Sequence, residues 1–323
     1  MLRITYFSLL LISIFGCQST QETATTTASP FTVLTDENPA WQTQQLRLLP
    51  IVATPEYIHA QEGAQTLKTL GEMLEQERFR VTEKKPYGRF DDNGAVNQLT
   101  VQNKTDEAVF LMAGDVVQGG NQDRVVGEDQ IIAARSIQDI EVFCVEHGRW
   151  TWNGQHDKYE SDDKIFAFRG YYNVASSRIR KAVAARNQER VWEEVASVTS
   201  HYGVASPTEA YAGLEDNDEF VNQRATYQRF FSGKLTEDTP IVGFVAISGN
   251  QLLGADVFGH PQLLQRKFDA LINGYIIDAL TIGNHQALPE EKLQSFIQQL
   301  QSELQQGGYR HNGTMIHTSV LAH

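Results

Sequence analysis

The stretch VNQLTVQNKTDEAVFLMAGDVVQGGNQDRVVGEDQIIAARSIQDIEVFCVE, residues 96–146, decides the fold class. Its apolar residues fall in short β-branched and aromatic runs: VNQLTVQN (96–103), AVFLM (108–112), RVVGEDQIIA (124–133) and SIQDIEVFCVE (136–146). Asn, Gly and Asp separate them, the punctuation of strands and turns rather than helices. Asp91–Gly94 and Asn103–Asp106 have the composition of hairpin loops.

Working outward, Gln45–Ala53 (QLRLLPIVA) predicts another strand, and Leu67, Leu70 and Leu74 predict a helix over Gly63–Gln76. After residue 176 the period changes. Ser176 or Ser177 caps a helix to about Ser200, with Trp192, Val195, Ala196 and Thr199 on one face. Asp218–Ser232 repeats the pattern with Phe220, Tyr227 and Phe231. Ile241–Ser248 and Leu252–Phe258 predict a β-pair around Gly249-Asn250. Gln262–Leu280 carries one apolar stripe, and Pro289 opens a last helix that Gly307-Gly308 ends. Strands first and helices after give an α+β fold, not an alternating doubly wound sheet. The expectation is one globular unit over residues 41–323, a β-rich N-terminal half packed with a helix-rich C-terminal half.

The first sixteen residues read as a signal peptide. Arg3 gives a cationic start, and ITYFSLLLISIF (4–15) is apolar but too short to span a bilayer. Gly16-Cys17 resembles a bacterial lipoprotein cleavage site, with Cys17 acylated to anchor the chain. Residues 17–40, rich in Ser and Thr and without Lys or Arg, are expected to be a tether. The implied location is the cell envelope, the outer membrane facing the periplasm in a Gram-negative cell. With Cys17 acylated, Cys144 has no disulfide partner, because the chain has only two cysteines. The formal charge of −13 argues against a nucleic-acid partner, since phosphate binding wants a cationic surface.

Phosphate-loop, dinucleotide, nucleophile-elbow and zinc-helix motifs are absent, and no metal or cofactor is assigned. Polar residues concentrate instead in two strings, Gly114–Arg124 and Cys144–Trp150. Glycines let a backbone approach a ligand. In the first string Asp115, Gln122 and Arg124 are expected to converge. In the second, Glu146 ends a strand and Gly148 turns the chain. A functional reading has Arg124 and Arg149 holding an anion, with Gln122 among the ligand-binding residues and Trp150 stacking on a ring or sugar; Glu146 or Asp115 is then the acid–base group or a metal ligand, and Cys144 a nucleophile. An architectural reading makes Cys144 a small hydrophobe, pairs Glu146 with Arg149, buries Trp150, and lets Arg124 clamp a carboxylate or carbonyls. Arg178, Arg180, Lys181, Arg186 and Arg190 make the helix after Ser176 locally basic, which suits either a phosphate-bearing ligand or a solvated face.

The strings FLMAGDVVQGGNQDRVV (110–126) and IEVFCVEHGRW (140–150), with Gln188, Val191-Trp192, VGFVAISGN (242–250) and GADVF (254–258) before a long helix, resemble one bacterial family. It is the domain family associated with ADP-ribosylglycohydrolases and rhodanese-phosphatases, type one. The resemblance covers roughly residues 41–285. It implies a gene neighbourhood of NAD and ADP-ribose metabolism and carries no established activity. Three functions compete: a membrane-tethered module binding a small anionic, nucleotide- or sugar-like ligand; a structural envelope protein; and a hydrolase of a phosphorylated or ADP-ribose-like molecule.

Overall fold

Leu46–Ala53 (β3) forms the strand that its apolar run predicts, and a seven-stranded sheet is built on it. The computed structural model describes residues 29–84, 97–146, 167–204, 210–236 and 239–322. The sheet order is β1 (Phe31–Val33), β3, β13 (Ile241–Ser248), β14 (Gln251–Phe258), β16 (Thr314–Leu321) and β15 (Tyr309–His311), with β2 (Gln42–Thr43) paired to β3. Helix α7 (Pro261–Ile282) covers one face and α8 (Glu290–Gln306) the other. Period two sends Leu46, Leu48, Phe244 and Ala246 toward Phe268, Leu271 and Ile272 of α7. It sends Leu49, Ile51, Val245 and Val257 toward Leu293, Phe296 and Leu300 of α8. Each such burial contributes about 2 kcal/mol. Pro261 starts α7, where its missing N–H costs nothing, and Gly307 ends α8 at φ +104°.

The second unit is a closed barrel of β11 (Ser136–Cys144), β6 (Gln98–Asn103), β5 (Phe79–Glu83), β12 (Ala167–Val174), β8 (Asp115–Gly119) and β9 (Arg124–Val126), in that order. Val81, Leu99, Val101, Val117, Val126, Ile140 and Val142 fill it. A small sheet of β10 (Gln130–Ile132), β7 (Val109–Leu111) and β4 (Lys68–Thr69) shares this core, as do Leu70 and Met73 of α3 (Leu70–Leu74). Helices α4 (Ser177–Ala184), α5 (Gln188–His201) and α6 (Asp218–Phe231) pack on the outside, against Val116, Val125 and Phe143. All four apolar clusters are built from residues 31–322. Among the described residues no helix is long and apolar enough to cross a membrane.

The fold is α+β, and its two halves interleave: β3 from the N-terminal half pairs with β13 from the C-terminal half. Several expected elements divide. The helix over 63–76 becomes α2 (Glu62–Gln65), β4 and α3, because Thr69 and Glu72 form a capping box. The helix after Ser176 breaks at Arg186, which adopts φ +53°, and Asn187 caps α5 by accepting from the Arg190 N–H. The run 124–133 splits into β9 and β10, which enter different sheets. Asn103–Asp106 does not close a hairpin, since β6 pairs with β5 and β11 and not with β7. Phe31–Val33, inside the stretch expected as tether, pairs with β3 because Phe31 packs edge-on against Tyr57 at 4.6 Å.

Candidate functional site

Three charged constellations compete for the role of site, and strand geometry separates the first two. Val81, Val126 and Val142 point into the barrel, so Glu83 and Cys144, two residues on, and Arg124, two residues back on an antiparallel strand, line the same inner face at one end. Asp115, two residues before Val117, lies at the opposite end of β8. The expected convergence of Asp115 with Gln122 and Arg124 therefore does not occur. Only Gln122, Arg124 and Glu146 come together; Cys17, Arg149 and Trp150 lie outside the described residues.

At the Arg124 end Glu83, Gln122, Asp123, Arg124, Cys144 and Glu146 are all buried. Arg124 Nη1 donates to the Gln122 carbonyl at 2.9 Å and to Gln122 Oε1 at 3.3 Å, and Nη2 lies 3.6 Å from Glu83 Oε1. Gln122 Nε2 donates to the Glu146 carbonyl at 2.8 Å, and the Asp123 N–H donates to Glu146 Oε2 at 3.1 Å. Glu83 accepts from the Asn121 N–H at 2.9 Å. These bonds tie the 120–123 turn to the end of β11. Burial pushes the Cys144 thiol up, and Arg124 acts against it. The described side chains here supply one cation for three carboxylates, Glu83, Asp123 and Glu146.

At the other end Asp115 accepts from Lys267 Nζ of α7, from the Tyr171 hydroxyl at 2.7 Å and from the Met112 N–H at 3.0 Å. Alongside it, Arg180 of α4 grips Asp256 of β14 through both nitrogens, at 3.0 and 2.5 Å. His317 of β16 sits between Asp129 at 2.6 Å and Asp256 at 3.0 Å, and the Tyr275 hydroxyl also donates to Asp256. Burial alone would lower the His317 pKa, but Asp129 and Asp256 push it up to about 9. Burial opposes the charge on Asp256 too, and Arg180 and His317 hold it well below the usual carboxylate range. Burial lowers the Lys267 pKa, against the pull of Asp115. Three cations and three carboxylates thus balance between the barrel, the sheet and α7. Gly114, at φ +101°, lies under Arg180: an added Cβ would come within 2.7 Å of its Cγ. This glycine makes room for a side chain, not for a ligand. Asp115 is fully buried, and its carboxylate accepts from three donors.

The third constellation is open. A cleft of about 530 Å³ lies between α4, α5 and the start of β14. Among the described residues Arg178, Lys181 and Arg190 line it with one carboxylate, Glu194; Asp278 also lies 3.5 Å from Arg178 Nε, and Glu193 lies 3.2 Å from Arg190 Nη1. Arg178 Nη1 reaches Glu194 at 3.3 Å and Arg190 Nη2 reaches it at 2.8 Å, so the protein's own carboxylate already sits between two guanidiniums. Arg178 Nη2 also donates to Thr281 Oγ1 at 3.2 Å, which fixes its fork. The helical spacing of these basic residues was visible in the sequence. The partner wall from β14 and α7 was not, because it is brought there only by tertiary packing. Among the described residues no group of three or more His, Cys, Asp or Glu side chains is placed to hold a metal ion.

The ARG and Rhodanese-Phosphatase-superfamily-associated Protein domain, ARPP-1, matches residues 36–319. Comparisons with curated proteins and with solved structures found no match.

Proposed function

The chain belongs to the ARPP-1 family, and from that premise we propose that it is an envelope lipoprotein, tethered through Cys17, whose domain binds a small anionic ligand in the α4–α5 cleft. The family name reports an association and no reaction, so the argument rests on the site. The observation that carries it is the cleft lining among the described residues: Arg178, Lys181 and Arg190 beside one carboxylate, Glu194. A concave site lined by cations attracts anions, and Asp278, 3.5 Å from Arg178, and Glu193, 3.2 Å from Arg190, offset part of that charge. Two guanidiniums converging on Glu194 present the planar donor forks that match carboxylate and phosphate oxygens. The Gln122–Arg124–Glu146 cluster then serves as architecture, locking the turn between β8 and β9 onto β11.

The test uses the chain from Gln18 onward, which carries every described residue. Thermal shifts are measured against ADP-ribose, NAD, nucleotides and sugar phosphates. A ligand at 100 times its Kd stabilises by about 2.7 kcal/mol. The expected result is a hit that weakens at least tenfold in Arg190→Ala, an exposed position, with far-ultraviolet circular dichroism checking that the variant is folded. A panel without a hit, or a hit indifferent to Arg190→Ala and Lys181→Ala, would overturn the reading.

A further inference from the structure

The wall opposite the cations narrows the ligand class. Leu252, Leu253, Ile282, Ala182, Ala185 and Ala322 line the cleft beside Ser177 and Gln251, and most of its surface is apolar. The position explains why. Ile282 packs against the cluster beneath α7, Leu252 and Ala322 against the cluster beneath α8, and Ala182 belongs to the helical cluster outside the barrel. The cleft is the seam where three cores meet, and Leu252, Ile282 and Ala322 remain partly exposed there. A cationic rim facing an apolar wall is complementary to neither a bare anion nor a polyol. Inorganic phosphate would leave the wall wet, and a sugar phosphate would set hydroxyls against leucine and isoleucine without acceptors.

Resting on the anion-binding reading, we infer that the cleft takes an amphiphilic anion: a phosphate monoester carried on a compact apolar group, its oxygens on Arg178 and Arg190 and its apolar body on Leu252 and Ile282. Glu194 is the internal competitor. Its carboxylate already occupies the guanidinium forks, so binding requires the ligand to share or displace it. A phosphate carries more charge and more acceptor oxygens than a carboxylate, which lets it compete.

Isothermal titration of the chain from Gln18 onward with inorganic phosphate, glucose 6-phosphate and hexyl phosphate tests this. Hexyl phosphate is expected to bind at least tenfold more tightly than the other two. Leu252→Ser and Ile282→Ser should each shrink that ratio toward one while leaving phosphate affinity in place. Glu194→Gln should tighten all three several-fold, because the forks are then open. Equal affinity for the three ligands, or a ratio unmoved by both wall substitutions, overturns the amphiphile inference and leaves the anion site standing. No binding of any of them, in the native chain and in Glu194→Gln alike, removes both. Competition by vesicles of phosphatidic acid in phosphatidylcholine, against phosphatidylcholine alone, separates the two sources of such a ligand. Displacement of hexyl phosphate assigns it to a lipid headgroup, and its absence assigns it to a free ester; each supports the chemistry.

Discussion

His317 carries the clearest consequence at the scale of one residue. Its folded pKa, pushed up to about 9, stands above its ordinary value of 6.5. The stability it contributes is fully present below pH 6.5 and is lost as pH rises through 9, because the folded state holds the proton that the unfolded chain releases. A rise from 6.5 to about 9 corresponds to about 3 kcal/mol across that window. Urea denaturation at intervals from pH 6 to 10 should therefore show falling stability, and His317→Gln should flatten the fall. Equal slopes in the two proteins would assign the titration elsewhere. The same scale shows where sequence reading loses its grip. The glycine-rich string at 114–124 looked like a ligand loop, yet Gly114 is glycine because Arg180 lies on it. Nothing local to position 114 announces a side chain that arrives from position 180.

Among the elements, β11 and α5 depend on each other through Gln188. β6 pairs with β11 only as far as Glu141, and β9 covers the other side at Cys144. The exposed edge at Cys144 is closed by the Gln188 amide, which accepts from its N–H and donates to its carbonyl, both at 2.8 Å. One side chain thus stands in for a missing strand neighbour. Gln188→Ala should destabilise the domain by about 1–3 kcal/mol, leaving two backbone groups without partners. A change below about 0.5 kcal/mol in equilibrium denaturation would contradict that role. Long periodic elements were legible in the sequence: β3, β13, β14, α6, α7 and α8 all lie where their apolar spacing put them. Breaks were less so, although their signals existed. Thr69-x-x-Glu72 is a capping box inside an apparent helix, and Asn187 caps α5 inside another. Asn312-Gly313, with positive φ at both residues, turns β15 into β16, a hairpin that the apolar pattern alone left unmarked. Hydrophobic period outweighs a two-residue cap when a window is averaged, so caps vanish first. The cleft was half legible: its cations share a helical segment, while its apolar wall comes from three elements far apart in sequence.

Buried charges join barrel and sheet, alongside the apolar cluster in which Phe110, Met112 and Val174 meet Phe258 and Phe268. Asp115 belongs to the barrel, Lys267 to the helix on the sheet, Arg180 to the outer helices, and Asp256 and His317 to the sheet itself. A single cooperative unfolding transition is the expected outcome, seen alike by far-ultraviolet circular dichroism and tryptophan fluorescence. Lys267→Met removes the partner of a fully buried carboxylate and should cost about 3–5 kcal/mol. Restoring neutrality with Asp115→Asn in the same chain should recover much of that loss. A Lys267→Met protein within 1 kcal/mol of the native one would show that the junction is held by apolar packing alone. This burial has one more effect. Mobile counter-ions screen charges that water reaches, over about 8 Å at physiological ionic strength, and scarcely touch those that it does not. The protein therefore carries two electrostatic systems that salt tells apart: rising sodium chloride should loosen an anion from the cleft while the melting temperature stays nearly where it was.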